Sequence, residues 1–391
     1  MPERLSSMRF KTSLLLTVLT AACASFATGL CGCPLTSPEK TIARPRMEVV
    51  FVLDTTGSMS GMIAGAKQKI WAIANKLKSA QPTPEIRFGL VGYRDRGDAY
   101  ITQVFGLTTN LDEVYTHLYA FEAQGGGDEP ESVNEALHRA VRDLQWSSDP
   151  QVLRVVFLVG DARPHMDYQD DVKYPETCAL ANQKGILINT LQCGRLSGTE
   201  AVWRAIAHQT NGTYAAILQD GGSVKIATPY DEEISRINLQ LDTTIILYGS
   251  KADQANAAKN KSVLASLAPE AMADRSSYLG KTEPGAVMSG GGDLVVEVMN
   301  GRQQLDSLDV KQLDPKLQAL PAAARNELIS KKIAERRDLQ SELNELVAKR
   351  DAVVTQKLET MAGKEGSLEL NAFEVLESQA KDKGYHFEEK K

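Results

Sequence analysis

The stretch Met47-Glu48-Val49-Val50-Phe51-Val52-Leu53-Asp54-Thr55-Thr56-Gly57-Ser58-Met59 decides the fold. Residues 47–53 form a near-continuous apolar run, the pattern of a strand buried on both faces in a parallel sheet. An acidic and hydroxyl-rich loop follows at once, and then Ile63, Ile70, Ile73 and Leu77 recur at helical spacing. Strand, polar loop and helix in that order make the opening unit of an α/β domain.

The alternation continues outward from this unit. Residues 86–93 and 101–105 read as strands separated by the turn Arg96-Gly97-Asp98, and 111–121 and 131–144 as helices. A second buried run covers 153–159. Strands at 186–191 and 213–218 then flank a helix at 200–209. The predicted fold is a doubly wound, mainly parallel, Rossmann-like sheet over 47–222. Residues 223–320 read as a mixed α/β connecting region, with strands at 243–248 and 294–298 around a helical segment at 251–278. Residues 321–391 read as a mostly helical tail. Its stripe Leu328, Ile329, Ile333, Leu339, Leu343, Leu346, Val347, Val354 and Leu358 suits self-association through 322–361 as a coiled coil, although Arg350 interrupts the seam.

A length of 391 residues suggests two to three domains at roughly 150 residues each. With 42% hydrophobic and 24% charged residues, the chain is neither wholly disordered nor a polytopic membrane protein. A net charge of -6 without a strong basic block, and only 6% aromatic residues, argue against nucleic-acid binding. Arg4, Arg9 and Lys11 precede the short apolar run 14–22, as in a secretory signal peptide or lipoprotein leader over 1–27, followed by a linker at 28–46. Leu19-Thr20-Ala21-Ala22-Cys23 resembles a bacterial lipobox, with Thr20 where an aliphatic residue is usual. Lipidation of Cys23 would tether the chain to a membrane, whereas cleavage after Ala24 or Ala27 would release it. Either route predicts export to the periplasm, cell envelope or cell surface. In an oxidising compartment Cys178, opening a helix, and Cys193, ending a strand, could form a disulfide; the alternative is two half-buried thiols.

Three acidic loops carry the chemistry: Asp54 to Met59, Gly125 to Ser132, and Gly160 to His165. In an open parallel sheet the carboxyl ends of the strands form the ligand edge, so Asp54 and Asp161 converge there. Hard oxygen donors at one rim suit a divalent cation such as Mg²⁺, with Mn²⁺ or Ca²⁺ as alternatives.

Here a family resemblance enters. Asp54-x-Thr56-x-Ser58 resembles the Asp-x-Ser-x-Ser signature of von Willebrand factor type A domains, and Asp161 matches the later Asp of their metal-ion-dependent adhesion site. Phe88 to Asp95, Gly125 to Glu131 and Gly160-Asp161 together resemble a bacterial and hemicentin-like branch, over roughly residues 46–222. The resemblance implies that Thr56 and Ser58 ligate the metal directly, and that Asp54 and Asp161 hold it directly or through water. It further implies an open coordination position that accepts a carboxylate from a partner protein. Where the family places a Thr in the middle loop, this chain offers Asp128, with Glu131 and Ser132 as substitutes. Direct coordination by Asp128 would make the site more anionic, binding metal better and an acidic partner less well.

Two other readings stand beside this one. Asp54-Thr55-Thr56-Gly57-Ser58 also resembles the loop of haloacid-dehalogenase-type phosphotransferases, with Asp54 as nucleophile and Asp161 and Asp167 at Mg²⁺. That reading puts Thr56 where a general-acid Asp is usual, and leaves the Gly125 loop unexplained. The third reading is a structural envelope scaffold that oligomerises through the long helix. Residue by residue, the bland alternatives are helix capping by Asp54, Thr56 or Ser58, turn roles for Asp95 and Asp98, and ordinary exposed surface for His165.

Overall fold

The structure is a computed structural model and describes residues 45–127, 129–222, 225–361 and 367–387. The leader, most of the linker, Cys23 and Asp128 lie outside the described residues.

The α/β part runs β1 (Arg46–Asp54), α1 (Ser60–Lys78), β2 (Ala80–Gln81), β3 (Glu85–Tyr93), β4 (Thr102–Thr108), α2 (Leu111–Ala120), α3 (Val133–Arg142), β5 (Leu153–Gly160), α4 (Tyr174–Gln183), β6 (Leu187–Cys193), α5 (Thr199–Gln209) and β7 (Tyr214–Ile217). Then come α6 (Asp231–Asp242), α7 (Lys251–Leu264), α8 (Pro269–Thr282), α9 (Leu294–Met299), α10 (Pro315–Gln318), α11 (Ala322–Met361), α12 (Leu368–Lys381) and β8 (His386–Phe387).

Six strands form one sheet in the order β4-β3-β1-β5-β6-β7, with β4 antiparallel to β3 and every other pairing parallel. The apolar run of β1 sits at the centre, and its alternate side chains feed two cores. Met47, Val49, Phe51 and Leu53 pack beneath α1 and α2, while Val50 and Val52 pack beneath α3, α4 and α5. Chain order reverses at β1, which pairs with β3 on one side and β5 on the other. A crevice therefore opens at the carboxyl ends of β1 and β5.

Helix α12 closes this layer from far along the chain. Its Leu368, Ala372, Leu376 and Ala380 join the core that contains Leu153, Val155, Phe157 and Leu191. The face of β5 and β6 shared with α1 is thus covered by a C-terminal helix. The short pair β2-β8 ties the end of the chain to the loop after α1.

The connecting region differs from its reading as mixed α/β. Residues 294–299 are helical. Asp293 caps them by accepting from Val295 N at 3.1 Å, while Leu294, Val295 and Val296 are buried together. Residues 243–248 contribute only isolated bridges, Leu247 to Asp293 and Tyr248 to Leu313. Short apolar runs do not distinguish a strand from a buried helical turn, and here the Asp cap settles it.

The seam of α11 is occupied within the chain. Leu343 packs with Ile234, Ile237 and Ala273 of α6 and α8, and Ile329 packs with Leu294 and Val295 of α9. Arg350, the apparent interruption, is only 2% exposed and binds Asp231 and Asp274 at 2.8 Å each. Arg336 is equally buried and binds Asp293 at 2.7 Å. Ile329, Ile333, Leu339, Leu343, Leu346 and Val347 of the stripe predicted for a coiled coil therefore face an intrachain helical layer, whereas Leu328 is exposed. Arg275 of α8 joins that layer to the α/β part through a buried two-point ion pair with Asp112 of α2, 2.8 Å at each bond. Among the described residues no helix is long and apolar enough to cross a membrane.

Candidate metal centre

Asp54 is the last residue of β1, and Gly160 is the last of β5. Tyr93, at the end of β3, is the register partner of Asp54. The crevice therefore brings the Asp54 carboxyl, the Tyr93 hydroxyl and the Gly160-Asp161 loop together. A side chain at Gly160 would meet Tyr93 Oη and come within 3.0 Å of Asp54 Cβ and 3.2 Å of Asp54 Oδ2. Only a glycine leaves that carboxyl its place.

Asp54 is fully buried. Its Oδ1 accepts from Thr56 N at 2.8 Å and from Thr56 Oγ1 at 2.6 Å. This local turn aligns the next hydroxyls: Thr56 Oγ1 lies 3.3 Å from the exposed Ser58 Oγ. Asp54 Oδ2 is buried with no hydrogen-bond partner. Asp161 is partly exposed, and its Oδ2 accepts from Gln219 Nε2 at 2.8 Å. Asp54, Thr56, Ser58 and Asp161 thus share one rim, while Asp128 lies outside the described residues.

The middle loop docks onto that rim through its backbone. Gly57 N donates to Gly125 O at 3.1 Å, and Gln124 N donates to Thr55 O at 3.1 Å. Gly125 and Gly126 have φ of +79° and +81°, a left-handed backbone that favours glycine. Glu131 is held from both sides: its N donates to Arg163 O at 2.9 Å, and its O accepts from His165 N at 3.1 Å. Its side chain reaches the Thr56 side of the rim, for a Cβ on Gly126 would lie 3.3 Å from Glu131 Oε1 and 3.2 Å from Thr56 Cβ. Glu131 Oε2 is also buried without a hydrogen-bond partner.

Burial pushes the Asp54 carboxyl up to about 7. The Thr56 hydrogen bonds oppose that rise, and the charges of Asp161 and Asp98 add to it. Burial, reinforced by Asp54, Asp95, Asp98 and Asp161, pushes Glu131 up to about 9. Burial and the same acidic surroundings hold the Tyr93 hydroxyl well above its ordinary value. Several carboxyls crowd one rim with too little positive charge among them.

Several residues differ from their sequence readings. His165 is 5% exposed and therefore not ordinary surface. It lies between Asp167, 2.8 Å from Nδ1, and Asp95, 3.4 Å from Nε2, and stacks on Tyr168 at 4.0 Å. Asp95 is more than a turn residue, accepting from Ser132 Oγ and from Tyr168 Oη at 2.9 Å each. The first of these bonds engages the Ser132 proton and leaves its oxygen lone pairs unused by it. Asp98 pins the middle loop by accepting from Gly126 N at 3.1 Å. Nothing in the spacing of Arg96-Gly97-Asp98 marked that role, because the two loops meet only through the fold. Cys178 and Cys193 are free thiols rather than a disulfide. Cys178 belongs to the core under α3, α4 and α5, and Cys193 to the core under α1, so the sheet separates them.

Among the described residues no three or more His, Cys, Asp or Glu side chains gather as a metal-binding group. A cation at this rim would therefore draw on the Thr56 and Ser58 hydroxyls beside the carboxylates.

Residues 48–229 match the von Willebrand factor A domain family. Over 120 residues the chain is 34% identical to von Willebrand factor A domain-containing protein 7 of Rattus norvegicus and 33% identical to that of Homo sapiens, covering 31% of this chain and 12% of each relative. It is 28% identical over 120 residues to alpha-protein kinase vwkA of Dictyostelium discoideum, covering 30% of this chain and 19% of that protein. The chain thus spans only a small part of these relatives' lengths. Among solved structures, proximal thread matrix protein 1 from the mussel byssus aligns with a TM-score of 0.36 at 17% identity, over 45% of this chain and 43% of that one. A form of it described with a zinc-occupied MIDAS motif aligns with the same score and identity over 46% and 43%. With the sheet order, the crevice and the three loops in place, the family match is decisive: the chain carries a von Willebrand factor A domain over residues 48–229.

Proposed function

We propose that this protein is a metal-ion-dependent interaction module. Thr56, Ser58, Asp54 and Asp161 would hold a divalent cation, most simply Mg²⁺, with Asp128 as the middle-loop ligand. The observation that carries this reading is Asp54 Oδ2, a fully buried carboxylate oxygen with no hydrogen-bond partner beside two paired hydroxyls. An orphaned buried acceptor is costly, and a cation offsets that cost. The hard oxygen donors fit Mg²⁺ better than a softer metal. When bound, the cation supplies positive charge and a position open to an outside carboxylate. The domain family supports the same role, since von Willebrand factor A domain proteins are generally interaction modules. The exposed Ser58 leaves the rim accessible to a partner protein offering an acidic side chain.

Calorimetric titration of Mg²⁺, Mn²⁺ and Ca²⁺ into wild type and Asp54→Ala tests the site. Heat with wild type and none with the variant is expected, and equal heat in both overturns the assignment. Pull-down from envelope extracts with and without EDTA tests the partner. Beryllofluoride labelling of Asp54 with Mg²⁺ would instead favour the phosphotransferase reading. The leader further suggests an exported protein, held at a membrane when Cys23 is lipidated. Mass spectrometry of membrane-extracted protein decides this by the presence or absence of a diacylglyceryl mass on Cys23.

A further inference from the structure

We propose that a second site, the polar cleft between α2, α7 and the triple-glycine loop Gly290-Gly291-Gly292, binds a small neutral polyhydroxyl ligand of the monosaccharide class. The cleft has a volume of about 350 Å³, at the lower end of the range for small-molecule sites. It opens away from the metal rim. Asn110 follows β4, whose last residue Thr108 pairs with Phe88 near the amino end of β3, whereas the rim lies at the carboxyl end.

Its lining holds polar groups that the protein leaves unused. Asn260 is only 8% exposed, and its side-chain amide makes no hydrogen bond to any described residue. Unlike Asp54 Oδ2, that amide is not sealed from solvent, so it can donate to and accept from a ligand in the cleft. His117 is half-buried and stacks on Phe105 at 3.8 Å. Burial and the neighbouring Lys259 lower its pKa, which favours a neutral ring offering one donor and one acceptor. The three glycines have φ of +84°, +83° and +86°, and a Cβ at Gly291 would meet nothing within 4 Å. This left-handed run keeps that wall free of side chains and presents bare backbone to the cleft.

Charge selects the ligand class. Glu113 and Asp253 line the cleft against Lys259, and Glu113 lies outside any ion pair among the described residues. A phosphate or carboxylate ligand needs surplus positive charge, and the cleft has none. Amide, imidazole, carboxylate and bare backbone instead offer donors and acceptors in alternation, as hydroxyl groups require. Part-buried Tyr248 adds an apolar face for the C–H side of a sugar ring.

Saturation-transfer difference NMR on the full chain tests this, with D-glucose, D-galactose, D-mannose and N-acetyl-D-glucosamine as probes at millimolar concentration. The expected result is transfer to at least one sugar, with affinity reduced roughly tenfold or more in Asn260→Leu and His117→Phe. The second variant keeps the ring stacked on Phe105, so it decides alone where Asn260→Leu does not fold. No transfer to any of the four sugars, or equal transfer in wild type and His117→Phe, overturns the proposal. EDTA leaves the signal unchanged, which separates this site from the metal rim.

Discussion

The side-chain amides of Asn189 and Gln379 hold one another across 190 residues of chain: Asn189 Nδ2 donates to Gln379 Oε1 at 3.0 Å, and Gln379 Nε2 donates to Asn189 Oδ1 at 2.8 Å. Asn189 sits mid-strand in β6, facing α12. Without α12 that amide, and the apolar surface of Leu153, Val155 and Phe157 beside it, would be uncovered. Gln379→Ala is expected to cost about 1–3 kcal/mol, because it strands a buried amide. The double change Asn189→Ala with Gln379→Ala is expected to cost less than the two single changes added together, although Asn189→Ala also removes the acceptor of Thr213 N. Urea unfolding of the four proteins in a double-mutant cycle gives the coupling, and additive losses would contradict it.

The acidic rim makes stability depend on pH. In the cation-free protein the Asp54 carboxyl titrates near about 7 and Glu131 near about 9, both above their ordinary values of 3.8 and 4.5. A carboxyl raised in the folded state contributes stability that is whole below its unfolded pKa and lost as pH climbs through the folded one. Urea midpoints in EDTA are therefore expected to fall from about pH 4 to about pH 9. Asp54→Asn removes the part ending near neutrality, and Glu131→Gln removes the part extending above it. Saturating Mg²⁺ flattens the curve. A midpoint that rises with pH over this window contradicts the assignment.

Gly160 is a steric guard of the rim. Gly160→Ala places a methyl group 3.0 Å from Asp54 Cβ and against Tyr93 Oη, so Asp54 must move. Mg²⁺ affinity by calorimetry is expected to fall about 10–100-fold, the range typical of displaced support around a metal. Gly106→Ala, where a Cβ meets nothing within 4 Å, serves as the control and leaves affinity unchanged.

Arg350 replaces an apolar residue at the inner face of α11. Arg350→Met leaves the buried Asp231 and the partly buried Asp274 without their cation, and is expected to destabilise the protein by about 3–5 kcal/mol. Thermal melts with and without the compensating pair Asp231→Asn and Asp274→Asn check it. Recovery in the triple variant shows that the loss comes from stranded charge rather than lost packing.

Cys178 and Cys193 remain reduced even under oxidising conditions, since the sheet stands between them. Alkylation before and after denaturation, with peptide mapping, is expected to label both only after unfolding. A mapped Cys178–Cys193 disulfide in the native protein would contradict the burial of each thiol in its own core.

The sequence by itself determined the α/β domain and the nucleus of its site. A run such as Met47 to Leu53 is apolar on both faces only when helices cover both faces, and the Asp54 loop follows it with no residue between. Those signals are local, so the order of residues carries them. Tertiary structure decided the rest. Glu131, Asp98 and Tyr93 reach the Asp54 rim because loops and strands distant in sequence end at one sheet edge. His165 became buried because Asp95 and Tyr168 enclose it. Arg350 interrupts an apolar stripe in the one-dimensional pattern, yet it is a core residue once Asp231 and Asp274 are brought to it. Valine-rich 294–299 became helix rather than strand when Asp293 capped it and no strand paired beside it. Hydrophobic periodicity reports which face a residue turns inward. Only packing reports what waits there, and whether a buried charge or cysteine has a partner within reach.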